Sequence, residues 1–268
     1  MRYVRPTSLA EAAAAVAEGG IPLGGGTVLV PSIAFGLSEA ETLVDVGRLA
    51  SLGAVDDDPE GVTIGAAVTL ARLADGGLPE TDAALVEAAR AAANPLVRRS
   101  ATVGGNIATR LPALDLPPSL LVLDAEVVLA GSHDELRRPV AEVLDSGPGR
   151  RVITGVWIPR DGLRRSGFLK YAWRRATGTA VISVAMAVSV GDGRLARPRI
   201  AIGGLRPRAT RLAGAEGELN GRRWDRHQTA AWAGRAAREA VTGLGDQSYR
   251  HGLVELAANE LLNRLSRS

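Results

Sequence analysis

The chain has no cysteine, and its three histidines, His133, His227 and His251, lie far apart in 268 residues. The first absence removes disulfides, thiolate metal sites, iron-sulfur ligation and cysteine nucleophiles together, and the histidine spacing matches no metal-ligand pattern. Any redox centre carried here is expected to be organic, with no metal site. Lysine is almost missing too: Lys170 stands alone, so a pI of 9.9 at a formal charge of +3 comes from arginine. The arginine clusters Arg98-Arg99, Arg164-Arg165 and Arg174-Arg175 are two residues long and lack interleaved aromatics, which argues against nucleic-acid binding. No run of about 18 uncharged apolar residues occurs, and Arg2, Arg5, Glu11 and Glu18 surround the short alanine run near the start, unlike a secretory signal. A cytoplasmic protein without membrane insertion is expected.

What is present is apolar composition (46%) sufficient for a large core, and 32 glycines. Ser8, an alanine-rich run and Gly19-Gly20 predict a capped helix. Residues 21–23 read as a strand entering GGG, 28–35 as a short helix, 42–46 and 61–70 as strands, and about 82–93 as a helix. The prolines at 117–118 fit the first turn of a helix, followed by strands at 125–130 and 151–158. Beyond residue 160 the pattern changes to antiparallel strands at 168–175, 180–190 and 194–205, with GDG at 191–193 as a hairpin turn, then helices around 229–241 and 249–265. The order suggests an α+β chain with a boundary near 160.

Two glycine stretches draw attention. LGGGTVLVP (23–31) lacks the lysine of a nucleotide-triphosphatase loop and the last glycine of a dinucleotide fingerprint. It can be a strand-to-helix turn that needs positive φ. TVGGN at 102–106 gives a second glycine pair, and two such loops suit a ligand with two phosphates, because consecutive backbone N–H groups in a tight turn form an anion-binding concavity.

LGGGTVLVP, RRSATVGGNIATRLPALDLPPSLLVLDAEV, FLKYAWRRATGTAVISVAMAVS and the closing DQSYRHGLVELAANELLNRL together resemble the FAD-binding medium subunit of molybdenum hydroxylases, the xanthine dehydrogenase and carbon monoxide dehydrogenase family. The resemblance covers essentially the whole chain. It implies the two-subdomain FAD-binding fold of the vanillyl-alcohol oxidase type at 1–160 (subdomains about 1–52 and 53–160) and a C-terminal α/β domain at 161–268.

By position, Gly24, Gly25, Gly26, Thr27, Val28 and Leu29 match the family's first loop, whose amides hold the FAD pyrophosphate. Thr102, Gly104, Gly105 and Asn106 match the second. Asp115 matches an acidic residue expected to bind ribityl or adenosine hydroxyls, while its ordinary reading is a helix N-cap before Pro117. Lys170 matches a lysine near the pyrimidine end of the flavin in some relatives, or is a solvated strand residue. Thr179 matches a position that carries a ring-side tyrosine in some relatives.

Three positions depart from the pattern: Val28 replaces a serine or aspartate, Leu111 a small polar or acidic residue, and Gly178 an aspartate. The FAD is expected to be noncovalent. The implied role is electron transfer, with iron-sulfur clusters in a small subunit and the molybdenum cofactor in a large one, in a dimer of heterotrimers. No acid-base residue of this chain is expected to be catalytic. A freestanding flavoprotein oxidoreductase on the same fold and a flavin-free scaffold stay open as alternatives.

Overall fold

The structure, a computed structural model, describes residues 1–76, 83–174, 178–191, 194–224 and 226–266, with the backbone alone for 226–228. The proposed start of a helix at Asp82 and the hairpin turn at 192–193 lie outside these residues.

In chain order the first elements are β1 (Arg2–Val4), α1 (Leu9–Ala17), β2 (Ile21–Leu23), α2 (Leu29–Ala34) and β3 (Thr42–Asp45). A 3-10 turn at Ala50–Gly53 leads to β4 (Val55–Asp57), β5 (Gly61–Gly65) and α3 (Leu70–Ala74). Then come α4 (Ala83–Ala91), α5 (Pro95–Ser100), α6 (Val103–Thr109), α7 (Leu116–Val122), β6 (Glu126–Ala130), β7 (Glu135–Pro139), α8 (Val140–Ser146) and β8 (Val152–Pro159). The remainder is β9 (Arg164–Ala172), β10 (Ala180–Gly191), β11 (Arg194–Gly203), β12 (Thr210–Arg211), α9 (Ala213–Leu219), α10 (Arg226–Val241) and α11 (Ser248–Leu265).

The chain divides into two compact units that are discontinuous in sequence. Unit 1 comprises Met1–Leu73, Asn94–Arg110 and Asp124–Arg160; unit 2 comprises Ala74–Ala93, Leu111–Leu123 and Asp161–Ser268. Ala93, Arg110 and Asp124, three of the four non-glycine residues with positive φ among those described, sit at crossings between the units. L-residues adopt that conformation rarely.

Unit 1 holds two sheets. The first is parallel, in the order β1-β3-β2, with Leu23 opposite Asp45. Helix α1 packs on it through Ala12, Ala13 and Val16 against Val44 and Val46. Ser8 caps α1 by accepting from the Glu11 amide at 3.2 Å, and Glu11 reaches back to the Thr7 amide at 2.7 Å, which holds its carboxyl below the usual range. The second sheet is antiparallel, in the order β4-β5-β8-β6-β7.

Unit 2 is built on the antiparallel sheet β12-β11-β10-β9. Ten of the twelve residues of β10 are buried in an unbroken run, because α7 and α11 both pack against this strand. A continuous apolar run is what such a strand needs.

The expected strand at 61–70 is shorter. The last bond to β8 runs from the Ala66 amide to Thr154, and the next amides turn away: Ala67 donates to Leu52 and Val68 to Gly65. Leu70 then opens α3, so alternation in GAAVTL reflects a turn packed on the core. Strand β7 was not expected either, since ELRRP carries no apolar alternation. It is the charged edge of its sheet, where polar side chains block further pairing.

Candidate flavin site

The residues expected to contact FAD fall in both units. Gly24 to Leu29 and Thr102 to Asn106 belong to unit 1, whereas Asp115, Lys170 and Thr179 belong to unit 2.

Within unit 1, β2 ends at Leu23 on the carboxyl edge of the parallel sheet, and its carbonyl accepts from both Val46 and Gly47. The chain then turns through Gly24-Gly25-Gly26, with Gly26 at φ +68°, before α2 begins. Each glycine has a reason inside the chain. A Cβ on Gly24 would lie 2.8 Å from Thr102 Oγ1, and one on Gly25 would lie 1.7 Å from the Ser100 carbonyl oxygen. The first glycine stretch is thus pressed onto the segment that leads into the second. Side-chain absence by itself therefore does not point to a ligand. The amides do. No acceptor engages the N–H groups of Gly24, Gly25, Gly26, Thr27, Val28 or Leu29 among the described residues, although the neighbouring Val30 and Ser32 amides bond to Gly26 and Val28. Six successive free donors on a half-buried turn are groups that an anion could satisfy. Val28 stands at the N-cap of α2 and makes no side-chain cap, as a hydrocarbon must, while its amide stays free.

The second stretch is not a loop. Gly104 and Gly105 lie in the first turn of α6, capped by Thr102, whose Oγ1 accepts from the Gly105 amide at 3.2 Å. The other first-turn amides are also used: Val103 donates to Val68, Gly104 to Ala66 and Asn106 to the Thr102 carbonyl. Gly104 has no room for a side chain, since a Cβ would come within 2.7 Å of Ala66 Cβ. What this segment can offer a ligand is the Asn106 side chain, buried, with Oδ1 lacking any partner. A buried amide oxygen without a partner costs about 1–3 kcal/mol. Asn106→Ala is therefore expected to leave the stability of the flavin-free chain unchanged or slightly raised, while weakening FAD retention severalfold. Urea unfolding of the apoprotein and a flavin titration check the two halves separately.

In unit 2, Asp115 precedes α7 but makes no side-chain cap. Its Oδ2 instead accepts from Lys170 Nζ at 2.8 Å, and Lys170 also donates to the Ala91 carbonyl at 3.1 Å. The two side chains are 6% and 9% exposed. Burial pushes the Asp115 carboxyl up to about 6, against the pull of the Lys170 charge and hydrogen bond, and its Oδ1 has no partner. Lys170 is thus a buried, paired residue that ties β9 to the end of α4 and the start of α7. Thr179 is exposed just before β10. Gly178 is explained by its surroundings: a Cβ there would lie 2.5 Å from the Arg174 carbonyl oxygen, which also accepts from the Gly178 amide. Leu111 is half exposed at the start of its segment. The described residues contain no group of three or more metal-ligating side chains, and no helix long and apolar enough to cross a membrane.

A parallel sheet delivering a turn of free amides, followed by an antiparallel sheet, is an arrangement compatible with a phosphate-bearing organic cofactor. Comparison with known proteins gives the class its name. Residues 1–161 match the FAD binding domain in molybdopterin dehydrogenase, and 167–265 match the CO dehydrogenase flavoprotein C-terminal domain. The chain is 30% identical to the nicotine 6-hydroxylase medium subunit of Paenarthrobacter nicotinovorans, over 98% of this chain and 95% of that one. It is 26% identical to the carbon monoxide dehydrogenase medium chain of Hydrogenophaga pseudoflava, over 97% and 95%. The fold matches a solved structure of carbon monoxide dehydrogenase from the latter organism with a TM-score of 0.87 at 24% identity, covering 99% and 96% of the two chains. This chain belongs to the family of FAD-binding medium subunits of molybdenum hydroxylases and is an oxidoreductase subunit.

Proposed function

We propose that the chain holds FAD noncovalently and passes electrons from iron-sulfur clusters to an external acceptor, the clusters residing in a small subunit and the molybdenum cofactor in a large one. The complex is a cytoplasmic dimer of heterotrimers, with residues 1–160 as the FAD-binding domain, in subdomains of about 1–52 and 53–160, and 161–268 as the C-terminal domain. The observation that carries the reading is the row of six unengaged amides from Gly24 to Leu29. They hold the pyrophosphate without a cationic side chain, since each N–H contributes partial positive charge at fixed geometry. Thr102 and Gly105 fix the first turn of α6, Gly104 lets it approach Ala66, and Asn106 offers its unpaired amide. On the family pattern Asp115 is assigned to the ribityl or adenosine hydroxyls, Lys170 to the pyrimidine end of the flavin and Thr179 to the ring side. When bound, FAD supplies the step between one-electron carriers and a one- or two-electron acceptor. This chain's part is to bind, orient and shield it. The lack of cysteine places the iron-sulfur chemistry on partners.

The test is to purify the tagged chain at native expression from its own host, and to record the visible spectrum with flavin, iron and molybdenum content and the identity of what copurifies. A complex containing all three is expected. Flavin on the chain alone would support a freestanding oxidoreductase, and a colourless chain that takes up no added FAD would sink the proposal.

A further inference from the structure

At the carboxyl edge of the sheet β1-β3-β2 sits a buried carboxylate. Asp45 ends β3 and is 6% exposed. It is the register partner of Leu23, the last residue of β2 before the glycine turn. Residues in register on neighbouring strands point to the same side of a sheet, and residues two apart along a strand do so too. Asp45 therefore shares a face with Leu23, Leu43 and Tyr3, the residue opposite Leu43. Val44 and Val46 lie on the other face, the one that α1 covers.

The glycine turn folds over the face of Asp45. A Cβ on Gly26 would lie 3.4 Å from Leu23 Cδ1 and 3.1 Å from Val30 Cγ2, so the turn and the start of α2 close on that side. Gly47, two residues after Asp45, is pressed onto the turn as well, since a Cβ there would lie 3.0 Å from the Gly24 carbonyl oxygen. The six unengaged amides and Asp45 thus belong to one edge of one sheet.

Only one side of this carboxylate is used. Its Oδ2 accepts from the Tyr3 hydroxyl at 2.6 Å and lies 3.2 Å from Arg48 Nε. Its Oδ1 has no partner among the described residues, yet it keeps access to solvent. Both neighbours sit on one oxygen, which fixes the group and leaves the other oxygen as a bare acceptor. A negative acceptor beside a row of amides repels phosphate oxygens and attracts hydroxyl groups attached to them.

In a parallel βαβ unit, an acid at the end of the second strand, about 20 residues beyond the phosphate turn, receives the ribose hydroxyls of a bound adenylate. Gly26 and Asp45 stand in that relation, on the adjacent parallel strands β2 and β3. We infer that Asp45 accepts from the ribose hydroxyls in the adenylate half of the cofactor, with Tyr3 and Arg48 as positioning residues that hold its carboxylate. This assignment rests on FAD being the ligand of the turn, and it leaves the ribityl chain to Asp115.

Isothermal titration calorimetry of the full-length apoprotein with FAD, ADP, 2′-deoxy-ADP and 3′-deoxy-ADP tests it. The wild type is expected to bind FAD and ADP, and to bind at least one deoxy analogue about tenfold more weakly than ADP, since a hydrogen bond to a charged group is lost. Asp45→Asn should narrow that gap to within about threefold. Tyr3→Phe should narrow it without abolishing it, a ratio that lost stability alone does not move. FAD binding without measurable ADP binding, or with ADP and both deoxy analogues bound within about twofold of one another, overturns the role of Asp45 and leaves the flavin reading standing. A gap that Asp45→Asn does not change overturns it equally. A wild type that binds neither FAD nor ADP overturns the flavin reading and the role of Asp45 together.

Discussion

Gly25→Ala is expected to cost the protein both its first loop and its flavin. The added methyl would sit 1.7 Å from the Ser100 carbonyl oxygen, 2.5 Å from that carbonyl carbon and 3.1 Å from Ala101 Cα, all of them backbone atoms. A flexible side chain could swing aside, but this backbone is held by the Ala101 amide bonding to Val97 and the Leu70 amide bonding to the Ala101 carbonyl. Either the glycine turn or the entry to α6 has to move, and overpacking against fixed backbone destabilises by about 3 kcal/mol or more. The same shift breaks up the row of free amides, so the flavin-to-protein ratio should fall close to zero. Gly53→Ala is the control: a Cβ there meets nothing within 4 Å and φ is not positive, so its effect should stay within about 0.5 kcal/mol with full flavin content. Chemical unfolding together with flavin content decides the matter. A Gly25→Ala protein that is as stable and as yellow as Gly53→Ala would show that the loop does not pack as described.

Lys170→Met should produce the second large effect, and one that depends on pH. Removing one member of a buried ion pair strands the other charge, which typically costs about 3–5 kcal/mol. Here the stranded group is Asp115, whose carboxyl burial already raises to about 6 while Lys170 pulls it down. Without the lysine the folded-state value rises further above the unfolded one. A group raised on folding binds more protons in the native state, so its contribution is fully present below the unfolded value and is lost as pH rises through the folded value. The variant should therefore lie close to wild type near pH 4 and fall behind it progressively above pH 6. Asp115→Asn/Lys170→Met removes both charges and should flatten the pH dependence. Urea unfolding of the three proteins from pH 4 to 8 measures it. A Lys170→Met deficit that is constant over this range would mean that the pair is not electrostatically buried.

Much of this was visible in the residues because local chemistry decided it. Ser8 with Glu11 caps α1, the prolines at 117–118 open α7, and the apolar run at 180–190 becomes β10. The glycines at 24–26 stood out correctly as a turn, yet their need for bare backbone comes from Ser100 and Thr102, some seventy-five residues away in sequence, which no local pattern could reveal. TVGGN read as a loop because two glycines usually break a helix. In the structure Thr102 caps them, and Val68 and Ala66 accept the amides that would otherwise be free. The Asp115–Lys170 pair joins residues far apart in sequence, and its only sequence signal was the rarity of lysine. Strand β7 escaped notice because an edge strand needs no apolar face.

The interleaving of the two units sets a timetable for synthesis. Helix α7 is buried at all seven of its positions, and it packs on β10 and β11. Those strands emerge from the ribosome only after about 80 further residues, which at ordinary elongation rates takes roughly 4 to 16 s. For that interval α7 has only α4 to pack against, without the sheet that completes its burial, and the unit that begins first cannot close without looping out segments that belong to the second. Nascent chains that end before β11 is complete at Gly203 are accordingly the stage at which α7 is expected to be most exposed.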